Sequence, residues 1–235
     1  MPKRMSPEVS GLETDPLGIA AGRSRSTGAP PVKARSAVAT LDPNANSSSA
    51  AYHHGDLRRA LLDAAVTSIA EAGPAALSLR ALATTVGVSH AAPVHHFGDK
   101  AGLFTAIAIE GFELLTADLI AVWTETEDFM EVGVGYIRFA LKHKGHFEVM
   151  FRPELTDIDN PGLLRAKNLS FGMLHDPLAT LGPVRDDKGS HVAALASWSI
   201  VHGLATLALS GNLSEIDLAE PDDLARHVLM HLRVL

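Results

Sequence analysis

Twelve histidines and no cysteine set the chemical repertoire of this 235-residue chain. Without a thiol there is no disulfide framework, thiolate nucleophile, iron-sulfur cluster or cysteine-ligated zinc site. Imidazoles remain as candidate metal ligands, and His227 and His231 stand at the four-residue spacing that lets two rings of one helix share an ion. The residues between them, Val228-Leu229-Met230, include no glutamate to act as general base, and the sequence fixes no carboxylate nearby. Neither a Gly-rich phosphate loop nor a nucleophile elbow is present. Catalysis is not expected, and no metal or cofactor is assigned. A histidine-rich metal-binding or metal-sensing helical protein stands as the alternative reading.

Three histidines instead fall in one 19-residue run, Leu79 to Phe97, LRALATTVGVSHAAPVHHF. It holds two short helical patterns joined by Val86-Gly87-Val88-Ser89, the pattern of a helix-turn-helix. Ala83 is small where the second helix crosses the first, and Gly87 supplies the positive φ that ends the first helix. Ser89 is expected to cap the second helix, from His90 to Phe97, and Ser78 to cap the first. Leu79, Leu82, Val86 and Val88 would pack the pair onto a preceding helix, leaving the start of the second free to enter a major groove about 12 Å wide.

The flanking residues make this more specific. YHHGDLRRALLDAA, followed by GVSHAAPVHHFGDKAGLF, resembles the N-terminal domain of tetracycline-repressor-type (TetR) transcription regulators over residues 52 to about 104. That family has a Ser or Thr capping the recognition helix, an aromatic-x-His-Phe near its end and a Lys opening the fourth helix, matched here by Ser89, His96-Phe97 and Lys100. Where the family has a Tyr whose hydroxyl meets a phosphate, this chain has Val94, so that contact should be missing. The resemblance implies double-stranded operator DNA as partner. Ser78, Ser89, His96 and Lys100 are then assigned to backbone phosphates, and His90, Ala91 and His95 to base edges. Taken singly, each histidine reads as an ordinary surface residue; its place in the motif gives it the functional reading. Phe97 is expected in the core, and Arg58 and Arg59 either reach phosphates or are simply solvated.

The elements that must hold this segment are helical from Gly55 onward, with Gly and Pro as punctuation and no alternating strand pattern. The fold class is all-α: a three-helix helix-turn-helix domain at 51–98, then a helical ligand-binding and dimerisation domain at 99–235. Helices are expected at Asp56–Ala72, Ser78–Val86, His90–Phe97, Asp99–Trp123, Asp128–Lys144, His146–Phe151, Pro161–Leu181, Lys188–Ser210 and Pro221–Leu235. Residues 1–50, rich in Ser, Pro, Ala and Gly, read as a disordered tail without a signal peptide. Hydrophobic residues make up 46% of the chain, enough for a substantial core, and the net charge of −7 is unevenly spread. Residues 1–50 carry +2, 51–100 carry 0 and 101–235 carry −9, so any basic footprint lies upstream, where Arg23, Arg25, Lys33 and Arg35 stand without an acid among residues 16–41.

In the C-terminal half, WSIVHGLATLALSG resembles a TetR subtype named for a Trp-His-Gly signature, matched by Trp198, His202 and Gly203. Leu195, Trp198, His202, Ala205 and Leu209 recur at helical spacing, so the indole and imidazole share a face. They form either a satisfied core pair or part of a ligand pocket. A small-molecule effector site is placed among Phe112, Tyr136, Phe147, Met150, Phe171, Met173 and Trp198, with Tyr136, His175 and His202 as polar groups. The resemblance also implies a homodimer through the last two helices, with Leu224, Val228, Leu232 and Leu235 as a compatible stripe. Residues 189–214 lack any charge, but two His, several Ser, Thr and Gly, and no flanking basic cluster argue against a membrane span. A cytoplasmic regulator without a membrane partner is the expectation.

Overall fold

The structure is a computed structural model that describes residues 46–181, 187–214 and 219–232, with side chains at 57–173, 189, 191–214 and 219–231. The tail through residue 45, the side chains of His175 and Leu232, and Leu235 lie outside these. All described residues belong to one unit, Asn44–Leu235. Among them there is no strand, and the helices are α1 (Asn46–Ala72), α2 (Leu79–Val86), α3 (Ala92–Phe97), α4 (Lys100–Thr126), α5 (Phe129–Lys142), α6 (Lys144–Met150), α7 (Pro161–Leu181), α8 (Asp187–Leu209) and α9 (Pro221–Leu232).

Local chemistry accounts for most boundaries. Gly73, at φ 77°, ends α1 before Pro74. Ser78 starts α2 by accepting from the Ala81 amide at 3.5 Å, and Gly87, at φ 76°, closes it in the left-handed conformation that favours glycine. Asp99 caps α4 by accepting from the Gly102 amide at 2.8 Å, and Asp128 caps α5 through the Met130 amide. Asn160 does the same for α7, accepting from Gly162 and Leu163. Two expectations need correction. Helix α1 begins at Asn46, ten residues ahead of Asp56 and inside the segment read as tail. Helix α3 begins at Ala92 rather than His90, because Ser89 to Ala92 close a turn, with the Ala92 amide donating to the Ser89 carbonyl at 2.9 Å. Ala91 therefore occupies the cap position, and the Ser89 side chain caps nothing.

One apolar core runs through the described residues. Leu61, Leu62, Ala65 and Ile69 of α1 meet Leu82 of α2 and Leu103, Phe104 and Ile107 of α4. In α4, Phe104, Ala108, Phe112, Leu115 and Leu119 are buried at spacings of three and four, one core-facing stripe. Helix α5 is the central element, buried continuously from Val132 to Ile137 and packed by α4, α8 and α9. Helix α7 lies on α4 and α8, and α6 lies between α4 and α1.

Helix α8 presents Ala194, Val201, Ala205 and Ala208 to the core, so Leu195 is not part of the inward stripe as expected but is 38% exposed. Its segment His191–Leu209 is long and apolar enough to cross a membrane by length and composition, yet here it packs along α5 and α7. Helix α9 turns Ala225 and Leu229 inward, whereas Leu224 and Val228 are only half-buried. A bidentate ion pair from Arg226 to Glu131, at 2.7 and 3.0 Å, ties α9 to α5 and holds the glutamate below its ordinary pKa range.

Candidate functional site

The outer surface of the helix-turn-helix is built by short elements and has little charge. His90, Ala91, Val94 and His95 are exposed, while Pro93 is buried beneath them. The His90 Nε2 lies 3.5 Å from the Thr84 hydroxyl of α2, so the turn and the first helix meet at a polar edge. His95 stands edge-on to His96, with ring centroids 5.6 Å apart, and His96 is half-buried beside Phe97. Ser78 and Ser89 are exposed at the two ends of the α2–turn segment. Lys100 holds its Nζ 5.3 Å above the Phe104 ring, at the first residue of α4. Donors and acceptors, rather than positive charge, dominate the face that residues 89–95 offer.

The two arginines of α1 are engaged. Arg58 lies over the Phe97 ring at 5.2 Å. Arg59 pairs with Asp63 at 2.5 Å and with Glu110 of α4 at 2.7 Å, so its guanidinium is committed to holding α1 on α4. Burial pushes the Glu110 carboxyl up, but Arg59, with His146 behind it at 3.3 Å, outweighs this and holds it below the ordinary glutamate range. His146 is itself held down by burial, and its Nδ1 is buried without a partner among the described residues. This polar group stands where α1, α4 and α6 meet.

A cavity of about 360 Å³ opens among α4 to α8. Of the nine predicted effector residues, Phe112, Tyr136, Met150, Phe171, Trp198 and His202 line it. Phe147 does not: it lines a smaller space of about 230 Å³ on the other side of His202, against Thr206 and Leu209. Met173 packs against the core beside the cavity. Much of the remaining wall comes from the irregular stretch after α6, including Phe151, Pro153, Thr156 and Ile158, and from Lys167 and Asn168 of α7. Tyr136 is 2% exposed, and its hydroxyl lies 2.9 Å from the His202 Nδ1 and 3.3 Å from the Trp198 indole nitrogen. Burial raises the Tyr136 phenol well above its ordinary value and lowers His202, so both are neutral near pH 7. The indole and imidazole that the Trp-His-Gly resemblance picked out therefore meet through a tyrosine 62 and 66 residues away.

The alternative metal reading finds no constellation. No three His, Asp or Glu side chains among the described residues group to hold an ion. His231 spends its Nδ1 on the His227 carbonyl at 2.8 Å, inside the same helix.

A helix-turn-helix carried at the end of a helical domain with an internal cavity defines a DNA-binding regulator of transcription. Residues 61–107 match "Bacterial regulatory proteins, tetR family", and residues 129–232 match "Tetracyclin repressor-like, C-terminal domain". The chain belongs to the TetR family. A solved protein of unknown function from Rhodococcus sp. RHA1 is 34% identical, with a TM-score of 0.63 over 78% of this chain and 97% of that one. The putative regulatory protein SCO4313 is 20% identical, with a TM-score of 0.61 over 77% and 98%. NalD of Pseudomonas aeruginosa, the secondary repressor of the MexAB-OprM multidrug efflux pump, is 21% identical, with a TM-score of 0.52 over 76% and 94%. No curated protein matches the chain.

Proposed function

We propose that this regulator is a repressor that binds a palindromic operator as a homodimer and leaves it when a small molecule occupies the cavity. Residues 51–98 are the DNA-binding part and 99–235 the effector and dimerisation part, acting in the cytoplasm where the DNA lies. Its output is occupancy of DNA, not turnover of a substrate.

One observation carries the switch. Helix α6 touches both functional regions: Met150 and the following Phe151 line the cavity, while Gly145 lies against the backbone of Val66 in α1. A ligand that favours a shifted α6 must therefore push or release α1, which forms the floor of the DNA-binding domain. Dimerisation through α8 and α9 is supported by large apolar side chains left exposed on both, Val192, Leu195, Leu207 and Met230.

Selection of bound sequences from random duplex DNA tests the operator. Enrichment of a palindrome is expected, and no enrichment would remove the reading. For the switch, linkage requires operator DNA to weaken the effector by the factor with which the effector weakens DNA, typically about 5- to 150-fold. An effector whose affinity is indifferent to operator would leave a constitutive regulator.

A further inference from the structure

We infer that the cavity selects effectors carrying a hydrogen-bond-accepting anionic head, such as a carboxylate, on an aromatic or otherwise apolar body. This rests on the reading of the cavity as the effector site and names the chemical class that site takes.

The argument begins with a proton count. The Trp198 indole N–H can only donate, so the Tyr136 oxygen accepts at 3.3 Å. The phenol has one proton of its own, and its only other hydrogen-bonding neighbour among the described residues is the His202 Nδ1 at 2.9 Å. Were Nδ1 the donor, the Tyr136 oxygen would accept twice and leave its own proton unpaired in a site that is 2% exposed, at the cost of a buried unsatisfied donor. The relay therefore runs from Trp198 to Tyr136 to His202, and the single proton of the neutral imidazole sits on Nε2. That nitrogen has no partner among the described residues, and it is not among the buried unsatisfied atoms, so it is open to the space that His202 borders, which is the cavity together with the smaller space that shares His202 and Phe151 with it. A fixed N–H donor asks for an acceptor.

The charges agree. Lys167, exposed on α7, lines the cavity and makes no ion pair among the described residues; no Asp or Glu lines the cavity, and Glu148 in the adjoining space is paired with Arg152 at 2.9 Å. A carboxylate entering here gains an ammonium and a neutral N–H donor without meeting a competing anion. A cationic head would have the rings of Phe112, Phe171 and Trp198 to lie against, but it would face Lys167 and an imidazole that offers it only a donor.

Three probes with one aromatic body test this on the full chain: 1-naphthylacetate, 2-(1-naphthyl)ethanol and 2-(1-naphthyl)ethylamine, titrated by calorimetry. The acetate is expected to bind at least about tenfold more tightly than either of the others, equivalent to about 1.4 kcal/mol. Lys167→Met should bring acetate and alcohol close to parity. Nitrogen-15 NMR should find His202 protonated on Nε2, and Tyr136→Phe should release it to a tautomer mixture. An amine or alcohol that binds as well as the acetate, or a His202 protonated on Nδ1, overturns the inference while leaving the effector cavity in place. If none of the three binds, the cavity reading and this inference fall together.

Discussion

The contact between α6 and α1 makes a demanding test of the proposed switch, because it depends on a missing side chain. A Cβ on Gly145 would stand 3.0 Å from the Val66 carbonyl carbon and closer still to its oxygen, where ordinary contact starts at 3.4 Å. Gly145→Ala must therefore move backbone, and overpacking of this kind costs about 1–3 kcal/mol, towards the upper end when no side chain can turn aside. The helical preference of Ala over Gly returns about 0.5–1 kcal/mol, leaving a net loss of about 2 kcal/mol. For a chain of this size that lowers Tm by about 4–8 °C, read by circular dichroism during heating. Gly111→Ala is the comparator: its Cβ would meet the Met150 thioether at 2.5 Å, a flexible group, so its loss should be less than half as large. Because Val66 belongs to α1, Gly145→Ala should also weaken operator binding, and Gly111→Ala less so. A Gly145→Ala protein that melts within about 2 °C of the parent, or above Gly111→Ala, would refute the packing argument.

Other outcomes follow from the same geometry. His143, His146 and His202 are all held below the ordinary value of 6.5, chiefly by burial, so below pH 7 the unfolded chain binds more protons than the folded one. Stability is complete above the unfolded value and is lost as pH falls through the folded ones, so Tm should be lower at about pH 5.5 than at about pH 7.5, and His146→Gln should shrink the difference; an equal drop in both proteins argues against it. Asp99→Ala removes the cap of α4 and should cost about 1 kcal/mol in denaturant unfolding, a result that an unchanged midpoint would contradict. In DNA titrations across salt, Lys100→Ala should weaken all sequences and reduce the salt slope by about 1, whereas His95→Ala should cost about 1–3 kcal/mol on the operator and relax preference at one position. Equal slopes and unchanged preference in both variants would refute the division of roles.

What could be read from sequence follows the range of the interaction responsible. Ser78, Gly87 and Asp99 act within a few residues of themselves, so both ends of α2 and the start of α4 were legible. The start of α3 was not, because a Ser before an apparent helix is the same signal whether its side chain caps or its carbonyl closes a turn. Leu195 was misplaced by one residue of helical phase, since Ala194 is small enough to escape notice in a hydrophobic pattern. The cavity was legible where aromatic residues stood on helices and illegible at Pro153, Thr156 and Ile158, which come from a stretch with no period. Partnerships across the chain, Arg59 with Glu110 over 51 positions and Arg226 with Glu131 over 95, leave no local trace.

Helix α4 has 27 residues and no break, so it spans about 40 Å as one rod. Lys100 opens α4 at its recognition end, and Leu119, on the cavity wall, is 19 residues further on, about 28 Å away at 1.5 Å per residue. A tilt of about 5° around Leu119 swings Lys100 by about 2.5 Å, and across the proposed two-fold dimer the two swings would add to about 5 Å, more than the 3.4 Å step between base pairs. Leverage of this kind means that the wall of the cavity need move very little. Under the proposed switch, a displacement smaller than a bond length at Phe112 or Leu115 would be geared up, along a rigid arm, into a change of reading frame on the DNA.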